Sequence, residues 1–120
     1  MKSVLLSIIC TAALSISYLL HAAADVSAGK SKSATCAACH GPTGAGIPGA
    51  FPAMTGSPVV TGAVDAHIDI VFNGKAGTAM AAYKGQLSDV DIAAVITYER
   101  NALGNSVGDL VQPSAIKNLR

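Results

Sequence analysis

The residues with the most specific chemistry form one short motif in the first third of the 120-residue chain. Cys36 and Cys39 are separated by two alanines, and His40 follows directly. In a helix this spacing puts two thiols one turn apart, so both can reach the vinyl groups of one porphyrin while the imidazole turns to its iron. The pattern is typical of c-type haem attachment. It therefore predicts one haem c, with Cys36, Cys39 and His40 as cofactor-binding residues.

Two other kinds of site share the paired cysteines. A thioredoxin-like dithiol usually lies beside a strand-helix-strand pattern, which this chain lacks, and it does not need the histidine. A zinc site needs a fourth ligand, and besides His40 only His67 or a carboxylate remains. The dithiol and the zinc site stay as alternatives to haem.

An iron bound by His40 has a second axial position, for which the chain offers three candidate ligands. Met80 lies on a flexible loop between two predicted helices and is favoured, so the predicted metal ligands are His40 and Met80. Met54 lies on the loop nearest the motif, where packing at the haem edge or in the core is the ordinary role of a methionine. His67 lies near the start of a helix and is expected at the surface. An open position is the remaining alternative.

The first 24 residues have the composition of an export signal. Lys2 precedes an uncharged apolar run over residues 4–20, and small residues precede Asp25. We expect a signal peptide of residues 1–24, cleaved after Ala24, and hence a periplasmic protein with no stable membrane span. The alternative is an uncleaved N-terminal anchor, since seventeen helical residues span roughly 26 Å against a hydrocarbon core of about 30 Å.

Composition limits the kinds of partner. Eight Lys and Arg residues face seven Asp and Glu residues, and loss of the predicted signal peptide leaves equal numbers of each. This balance supplies no basic footprint for nucleic acid. The length allows one small domain with a modest core, and many domains of that size rely on a cofactor to stay folded.

Glycine and proline dominate residues 41–62, which hold six glycines and all but one of the five prolines. They exclude a long regular element, and a loop of about twenty residues in a compact domain usually wraps something functional. Helices are predicted on both sides. The first covers residues 26–34 and runs into Cys36. The second covers Asp65–Asn73, with Asp65 as its N-cap and a glycine after its last residue.

The third predicted helix has the strongest pattern. Ser88 is its N-cap, Asp91 stands in the capping-box position, and the helix ends at Gly104. The polar tail beyond it is expected to be extended along the surface. Without repeats or strand pairs, the fold class is all-α, with one domain over residues 25–105 and a C-terminal extension over residues 106–120, packed on it or trailing from it. The apolar stripe of the third helix is formed by Ile92, Val95, Ile96, Ala102 and Leu103.

Four stretches resemble class I cytochromes c, and the likeness covers most of the chain after the predicted signal peptide. They are CAACHG at 36–41, GIPGAFPAMTGSP at 46–58, FNGKAGTAM at 72–80 and QLSDVDIAAVITYERN at 86–101. In detail they look most like the cytochrome c domain fused to subunit II of some bacterial haem-copper oxidases. The copper-binding part of such a subunit is absent from this sequence.

The resemblance implies three to four helices packed around one covalently attached haem, with the first and last helices crossing. It implies that Met80 is the sixth iron ligand. It also places at Pro48 the proline whose backbone carbonyl accepts a hydrogen bond from the ligand histidine. Unlike many relatives, the chain has no tryptophan to contact a haem propionate.

Iron with one histidine and one methionine ligand has no open position for a substrate and is suited to one-electron transfer. We therefore expect an electron-transfer protein of a respiratory chain and not an enzyme, with a membrane-bound donor and a terminal oxidase or similar acceptor as redox partners. The alternatives are an electron-transfer subunit of a periplasmic dehydrogenase or oxidase and a haem-based ligand sensor or peroxidase. Lysines at 75, 84 and 30 or 32 would form a basic docking rim, the ordinary alternative being a solvated surface.

Overall fold

The computed structural model describes residues 26–120, and the predicted signal peptide lies outside this part. Every regular element in it is a helix, which confirms the all-α class; one isolated β-bridge joins Ile47 and Phe51. No helix of residues 26–120 is long and apolar enough to cross a membrane. The helices are α1 (26–32), α2 (Ala34–His40), α3 (Pro58–Thr61), α4 (Val64–Asn73), α5 (Asp89–Asn101) and α6 (Pro113–Lys117).

The predicted first helix is divided in two. Residue Ser33 interrupts it between α1 and α2, and its hydroxyl donates to the carbonyl of Lys30 at 3.1 Å. A side chain that bonds to a nearby carbonyl competes with the helical pattern, which explains the break. The consequence is that the attachment motif has a short helix of its own, which ends at His40 and is followed by Gly41.

The predicted N-cap of α4 is wrong. Helix α4 begins at Val64, after Ala63, so Asp65 lies in its first turn and makes no cap. A carboxylate in the first turn still interacts favourably with the helix dipole. The predicted stop is confirmed, because α4 ends at Asn73 and Gly74 follows with a positive φ of 70°.

The capping box of α5 is confirmed. The backbone N–H of Asp91 donates to the Ser88 hydroxyl at 3.1 Å, and the Asp91 carboxylate accepts from the Ser88 N–H at 3.3 Å. The Ser88 hydroxyl also donates to the Asp91 carboxylate at 2.8 Å, and this bond does most to hold the pKa of Asp91 below its usual value. The predicted end at Gly104 is too late, since α5 stops at Asn101 and Leu103 has a φ of 57°, which no helix continues.

Helices α4 and α5 form most of the core. In the predicted stripe of α5, Ile92, Val95 and Ile96 are fully buried, whereas Ala102 and Leu103 lie beyond the helix and are only half-buried. The largest apolar cluster of the described residues combines the two helices with the C-terminal extension. Its members are Ile68, Val71, Phe72, Ile92, Ala93, Ile96, Val111 and Ile116.

The C-terminal extension packs on the domain and contains α6, which the sequence analysis missed in expecting an extended tail. Ile116 of this five-residue helix is fully buried. Arg120 donates to the carbonyls of Lys84 and Leu87, and its guanidinium lies 5.4 Å from the centre of the Phe72 ring. A helix of one turn with a single buried residue has no periodicity to detect, so only packing reveals it.

Helices α1 and α5 cross where Gly29 meets α5, which confirms the crossing that the resemblance implies. A β-carbon on Gly29 would lie 2.7 Å from the Cβ of Tyr98 and would overlap the Ala94 carbonyl oxygen. Only a residue without a side chain allows the two backbones to approach this closely.

Replacing Gly29 with valine is expected to lower the free energy of unfolding by about 1–3 kcal/mol, because the added atoms must push the two helices apart. Thermal and denaturant unfolding of the purified protein measures the change. The control is Gly85→Ala, where an added Cβ has no neighbour within 4 Å. If both variants unfold at the same temperature, the crossing is not the tight contact described.

A second link joins α5 to α3 through Arg100, whose side chain is 3% exposed. Its guanidinium donates to the carbonyls of Val60 and Gly62 at 2.7 and 3.0 Å, and its Nε donates to the Asp109 carboxylate at 2.9 Å. The hydrogen bonds and charge of Arg100 keep the pKa of Asp109 below its usual value. One cation therefore joins α5 to the segments before and after it.

Because its pKa is lowered in the folded protein, Asp109 stabilises the fold above the ordinary aspartate pKa of 3.8, and this contribution is lost as pH falls through the lower folded value. We expect Asp109→Asn to lower the unfolding temperature near neutral pH, with the difference from the unchanged protein shrinking below about pH 4. Unfolding scans between about pH 2 and 7 test this, and Asp69→Asn, an exposed position, is the control. A difference that does not change with pH contradicts the argument.

Candidate haem site

The attachment motif occupies the second half of α2. Cys36, Cys39 and His40 are all half-buried, and both cysteines are free thiols. Because they lie three residues apart on one helix, the two thiols are on the same side of α2. The structure therefore brings these three predicted site residues together on one short element.

The ring of His40 is held by Pro52. Its Nδ1 lies 2.7 Å from the Pro52 carbonyl oxygen. A carbonyl can only accept, so Nδ1 carries the proton and Nε2 keeps its lone pair for a metal. The predicted role of Pro48 is therefore wrong, because the accepting carbonyl belongs to the next proline along the loop.

A tight turn explains why Pro52 and not Pro48 reaches the histidine. The N–H of Ile47 donates to the Phe51 carbonyl and the N–H of Phe51 donates back to Ile47, each at 2.8 Å. The exposed Pro48 lies within this turn, and the chain comes back toward α2 directly after it. Gly46, with a φ of 72°, allows the return, since a Cβ there would lie 2.6 Å from the Phe51 carbonyl oxygen.

The far side of the same loop is tied to the end of α5 by Asn105, which is 7% exposed. Its carbonyl oxygen accepts from the Gly56 N–H at 2.8 Å. Its amide donates to the carbonyls of Glu99 and Met54, at 2.8 and 3.2 Å. Each of these bonds joins residues far apart in sequence or closes the end of the helix. The loop is thus a braced structure despite its composition.

Met80 lies on a separate loop between α4 and α5 and is half-buried. Its N–H donates to the Thr78 hydroxyl at 3.2 Å, and its carbonyl accepts from the Lys75 N–H at 3.0 Å. Gly74 passes so close that a Cβ there would lie 2.6 Å from the Met80 carbonyl oxygen. These hydrogen bonds of Met80 stay within its own loop, so the structure fixes the main chain of Met80 but does not join it to α2.

The other two axial candidates are enclosed by protein. Met54 is 7% exposed and belongs to the loop that Asn105 ties to α5, which is the packing role considered for it. His67 is 2% exposed, so the expectation of a surface histidine is wrong. Its Nε2 lies 2.8 Å from a carboxylate oxygen of Glu99 on α5. His67 stands four residues before the buried Val71, and residues with this spacing share one face of a helix. The sequence therefore contained a signal that His67 lies on the inner face of α4.

Glu99 is a site residue that sequence reasoning missed. Its side chain is 3% exposed. Burial first, and then the nearby charge of Glu99, raise the pKa of the Cys36 thiol to about 12. Burial and the charge of Cys36 also raise the pKa of Tyr83. The missed signal was periodicity, since Glu99 stands seven residues after the fully buried Ile92, on the same face of α5.

The residues present fit a covalently held haem. Two unpaired thiols share one face of α2, and burial raises the pKa of the Cys36 thiol to about 12, the opposite of the lowered pKa that activates a reactive cysteine. The next imidazole has its Nδ1 engaged and its Nε2 available. Within residues 26–120 no cluster of three or more His, Cys, Asp or Glu side chains is arranged to hold a metal ion. The paired thiols and the available Nε2 are what a covalently attached haem requires.

The predicted basic rim is only partly formed by free cations. Lys32 pairs with Asp91 at 3.3 Å, and Lys84 donates to the Asn73 side chain at 3.0 Å while lying 5.6 Å from the centre of the Phe72 ring. Lys30 and Lys75 are exposed. Two of the four lysines thus have structural partners of their own.

Comparison with known proteins agrees with this site. Residues 24–98 match the family model described as cytochrome c oxidase, cbb3-type, subunit III. The chain is 35% identical over 78 residues to cytochrome c-554(548) of Halomonas halodenitrificans, an alignment that covers 63% of this chain and 94% of that protein. The chain belongs to the cytochrome c family, and its cofactor is covalently bound haem c.

Two larger proteins are also similar. The cytochrome c subunit of alcohol dehydrogenase (quinone) from Gluconobacter oxydans is 34% identical over 95 residues, which are 71% of this chain and 20% of that subunit. Cytochrome c4 of Azotobacter vinelandii is 49% identical over 43 residues, which are 36% of this chain and 20% of that protein. The chain therefore spans about a fifth of the length of these two relatives. The finer likeness to an oxidase subunit II domain stays a prediction.

Replacing Asn105 with alanine is expected to lower the free energy of unfolding by about 1–3 kcal/mol, because the backbone groups of Gly56, Met54 and Glu99 lose a buried partner. Denaturant unfolding of the haem-loaded protein measures the loss. The matched control is Asn118→Ala, an exposed asparagine at the end of α6. Equal stability of the two variants would contradict the bracing role of Asn105.

Proposed function

We propose that this protein is a periplasmic monohaem cytochrome that carries single electrons toward a terminal oxidase or another respiratory acceptor. Cys36 and Cys39 would hold the haem as thioethers, and His40 and Met80 would be its axial ligands. The haem supplies reversible one-electron chemistry at iron. The protein's own residues hold it, orient the ligand imidazole and exclude water.

The observation on which the proposal depends most is the hydrogen bond of His40. With Nδ1 donating to Pro52 at 2.7 Å, the ring is fixed in the tautomer that offers Nε2. A bond of this kind also raises the basicity of the ligand nitrogen and fixes the ring plane. A redox dithiol would have no use for a histidine held in this way.

Three observations support Met80 as the sixth ligand. Its loop is fixed by hydrogen bonds to Thr78 and Lys75 and by the close approach of Gly74. The thioether side chain is half-buried, whereas Met54 is enclosed next to the Asn105 bridge and the Nε2 of His67 is engaged by Glu99. With His40 and Met80 as its two protein ligands, the iron would have no position left for a substrate, which favours electron transfer over a sensor or a peroxidase.

The comparisons give support both to a free electron carrier and to a subunit of a larger enzyme. A free carrier is favoured by the 94% of cytochrome c-554(548) that the alignment covers, since that relative is little longer than the matched segment. The family model, named for an oxidase subunit, favours an oxidase as acceptor. The alternative is a subunit of a periplasmic dehydrogenase, which the similarity to the cytochrome c subunit of alcohol dehydrogenase (quinone) favours. Co-purification with a larger catalytic subunit would support the dehydrogenase subunit, and recovery as a free protein would support the free carrier.

The first experiment is an absorption spectrum of the protein produced in a host that attaches c-type haem, recorded oxidised and then reduced. A haem spectrum that survives acid-acetone extraction shows covalent attachment. The weak far-red band of a sulfur-to-iron bond in the oxidised protein shows methionine ligation. Haem without that band would support a sensor, and a protein without haem would refute the proposal.

Replacing Met80 with alanine is expected to leave the haem attached, because the thioethers do not depend on Met80, but to remove the far-red band and open the sixth position. The measurement is the oxidised spectrum together with carbon monoxide binding to the reduced protein. Met54→Ala is the control and should keep the band. A Met80→Ala variant with the native spectrum would show that another residue is the ligand.

A further inference from the structure

A buried acid and a buried base face each other between α4 and α5. The Nε2 of His67 lies 2.8 Å from a carboxylate oxygen of Glu99, and their side chains are 2% and 3% exposed. A buried charged pair is not needed for stability, since apolar side chains of similar volume often stabilise a fold equally well or better. The His67–Glu99 pair is therefore of interest for what it can do in addition to packing.

The pair lies beside the attachment motif. The charge of Glu99 contributes to raising the pKa of the Cys36 thiol, so the carboxylate is close to the first attachment cysteine. Tyr83 is a further titratable side chain on this side, and burial first, then the charges of Cys36 and Glu99, raise its pKa. A charge on Glu99 is thus close to the place where the haem is held.

The remaining charged groups around the pair are already engaged with one another. Arg100, next to Glu99 on α5, donates to the Val60 and Gly62 carbonyls and to Asp109. Asp109 of the C-terminal extension lies near enough for its charge to interact with His67, and its carboxylate is paired with Arg100 at 2.8 Å. Cys39 of α2 also lies near Cys36 and Tyr83. The charged group that the Glu99 carboxylate can pair with is therefore His67, at 2.8 Å, while the Cys36 thiol is the neutral neighbour of the carboxylate on the side of the attachment motif.

The second ring nitrogen of His67 has an unused capacity. Among the described residues, Nδ1 of His67 is the only buried side-chain nitrogen or oxygen without a hydrogen-bond partner. When Nε2–H donates to Glu99, the neutral ring has its free lone pair at Nδ1. Buried polar groups nearly always have partners, so an exception in a folded protein needs an explanation. A proton added at Nδ1 would turn the neutral imidazole into a cation paired with Glu99.

We propose that the His67–Glu99 pair takes up one proton when the bound haem is reduced and releases it on oxidation. The proposal rests on the proposed function. Oxidised iron in the porphyrin dianion carries one net positive charge, which balances the Glu99 carboxylate. One electron from the redox partner removes that positive charge, and one proton from water, added at Nδ1 of His67, restores the balance. On oxidation both leave, the electron to the acceptor and the proton to water.

The physical reason is the low dielectric of the interior. Charges separated by a few ångströms interact much more strongly there than in water. Loss of positive charge at the iron therefore favours protonation of the pair, and gain of positive charge favours release of the proton. Protonation of the pair is therefore easier in the reduced protein. As a consequence, the reduction potential falls as pH rises through the range in which the pair titrates.

The test is the reduction potential of the haem-loaded protein between about pH 5 and 8, the range in which histidines commonly titrate. Within the titration range, each tenfold fall in proton concentration should lower the equilibrium constant for reduction by up to tenfold, or about 59 mV for one electron. Glu99→Gln should abolish most of this dependence. Asp69→Asn, which changes an exposed carboxylate on the same helix as His67, should keep it.

Two further measurements guard against a variant that is merely misfolded. The double variant His67→Leu with Glu99→Leu replaces the pair by apolar side chains and is expected to fold with little or no loss of stability, while its potential no longer changes with pH. In the unchanged protein, NMR signals of the His67 ring should titrate at a higher pH when the iron is reduced than when it is oxidised. This readout follows the proton itself.

The possible failures are distinct. A protein without haem or without a reversible one-electron couple refutes the proposed function, and this proposal with it. A reversible couple whose potential is independent of pH refutes the proton uptake alone. So does a dependence that persists in the double variant, because other groups must then cause it. His67 signals that titrate equally in both oxidation states also refute it.

Discussion

The hydrogen bond from Nδ1 of His40 to the Pro52 carbonyl determines that Nε2 is the ring nitrogen left available to a metal, and the surrounding loop is shaped to supply that carbonyl. The turn between Ile47 and Phe51 reverses the chain, and the absence of a side chain at Gly46 allows the return. A flexible loop would present a carbonyl only part of the time. The glycines and prolines of this loop therefore make it ordered, because positive φ values and fixed proline φ angles define one path for the backbone.

Helix α5 connects the parts of this site. It crosses α1 at Gly29 and carries Glu99, which lies near the attachment motif. Its Arg100 donates to a carbonyl of α3, and Asn105, just beyond the helix, is hydrogen-bonded to the loop of residues 41–62. These contacts use backbone carbonyls and buried polar groups as much as apolar packing. In a small domain with a modest core, such connections and a covalent cofactor share the task of holding the fold.

Local chemistry made much of the molecule predictable. The spacing of Cys36, Cys39 and His40, the capping box at Ser88 and the stop at Gly74 each depend on neighbours in sequence. The last two signals predicted the start of α5 and the end of α4 correctly, and the structure places the three motif residues on one helix. The sequence analysis assigned the carbonyl that accepts from His40 to Pro48, whereas it belongs to Pro52. This error shows the limit of sequence reasoning, since two prolines four residues apart look alike until the turn between them is known. The burial of His67 depends on Glu99, thirty-two residues away, and α6 depends on the pocket that receives Ile116.

The residues that enclose the attachment motif are synthesised long after it. The bond that ties Met54 to Asn105 spans 51 residues, and Glu99 and Arg100 belong to the same late segment. A chain that emerges from its N-terminus therefore presents Cys36 and Cys39 before α5 exists to bury them. The order of elements along the chain therefore leaves the Cys36 thiol more accessible before α5 packs beside it than in the finished fold.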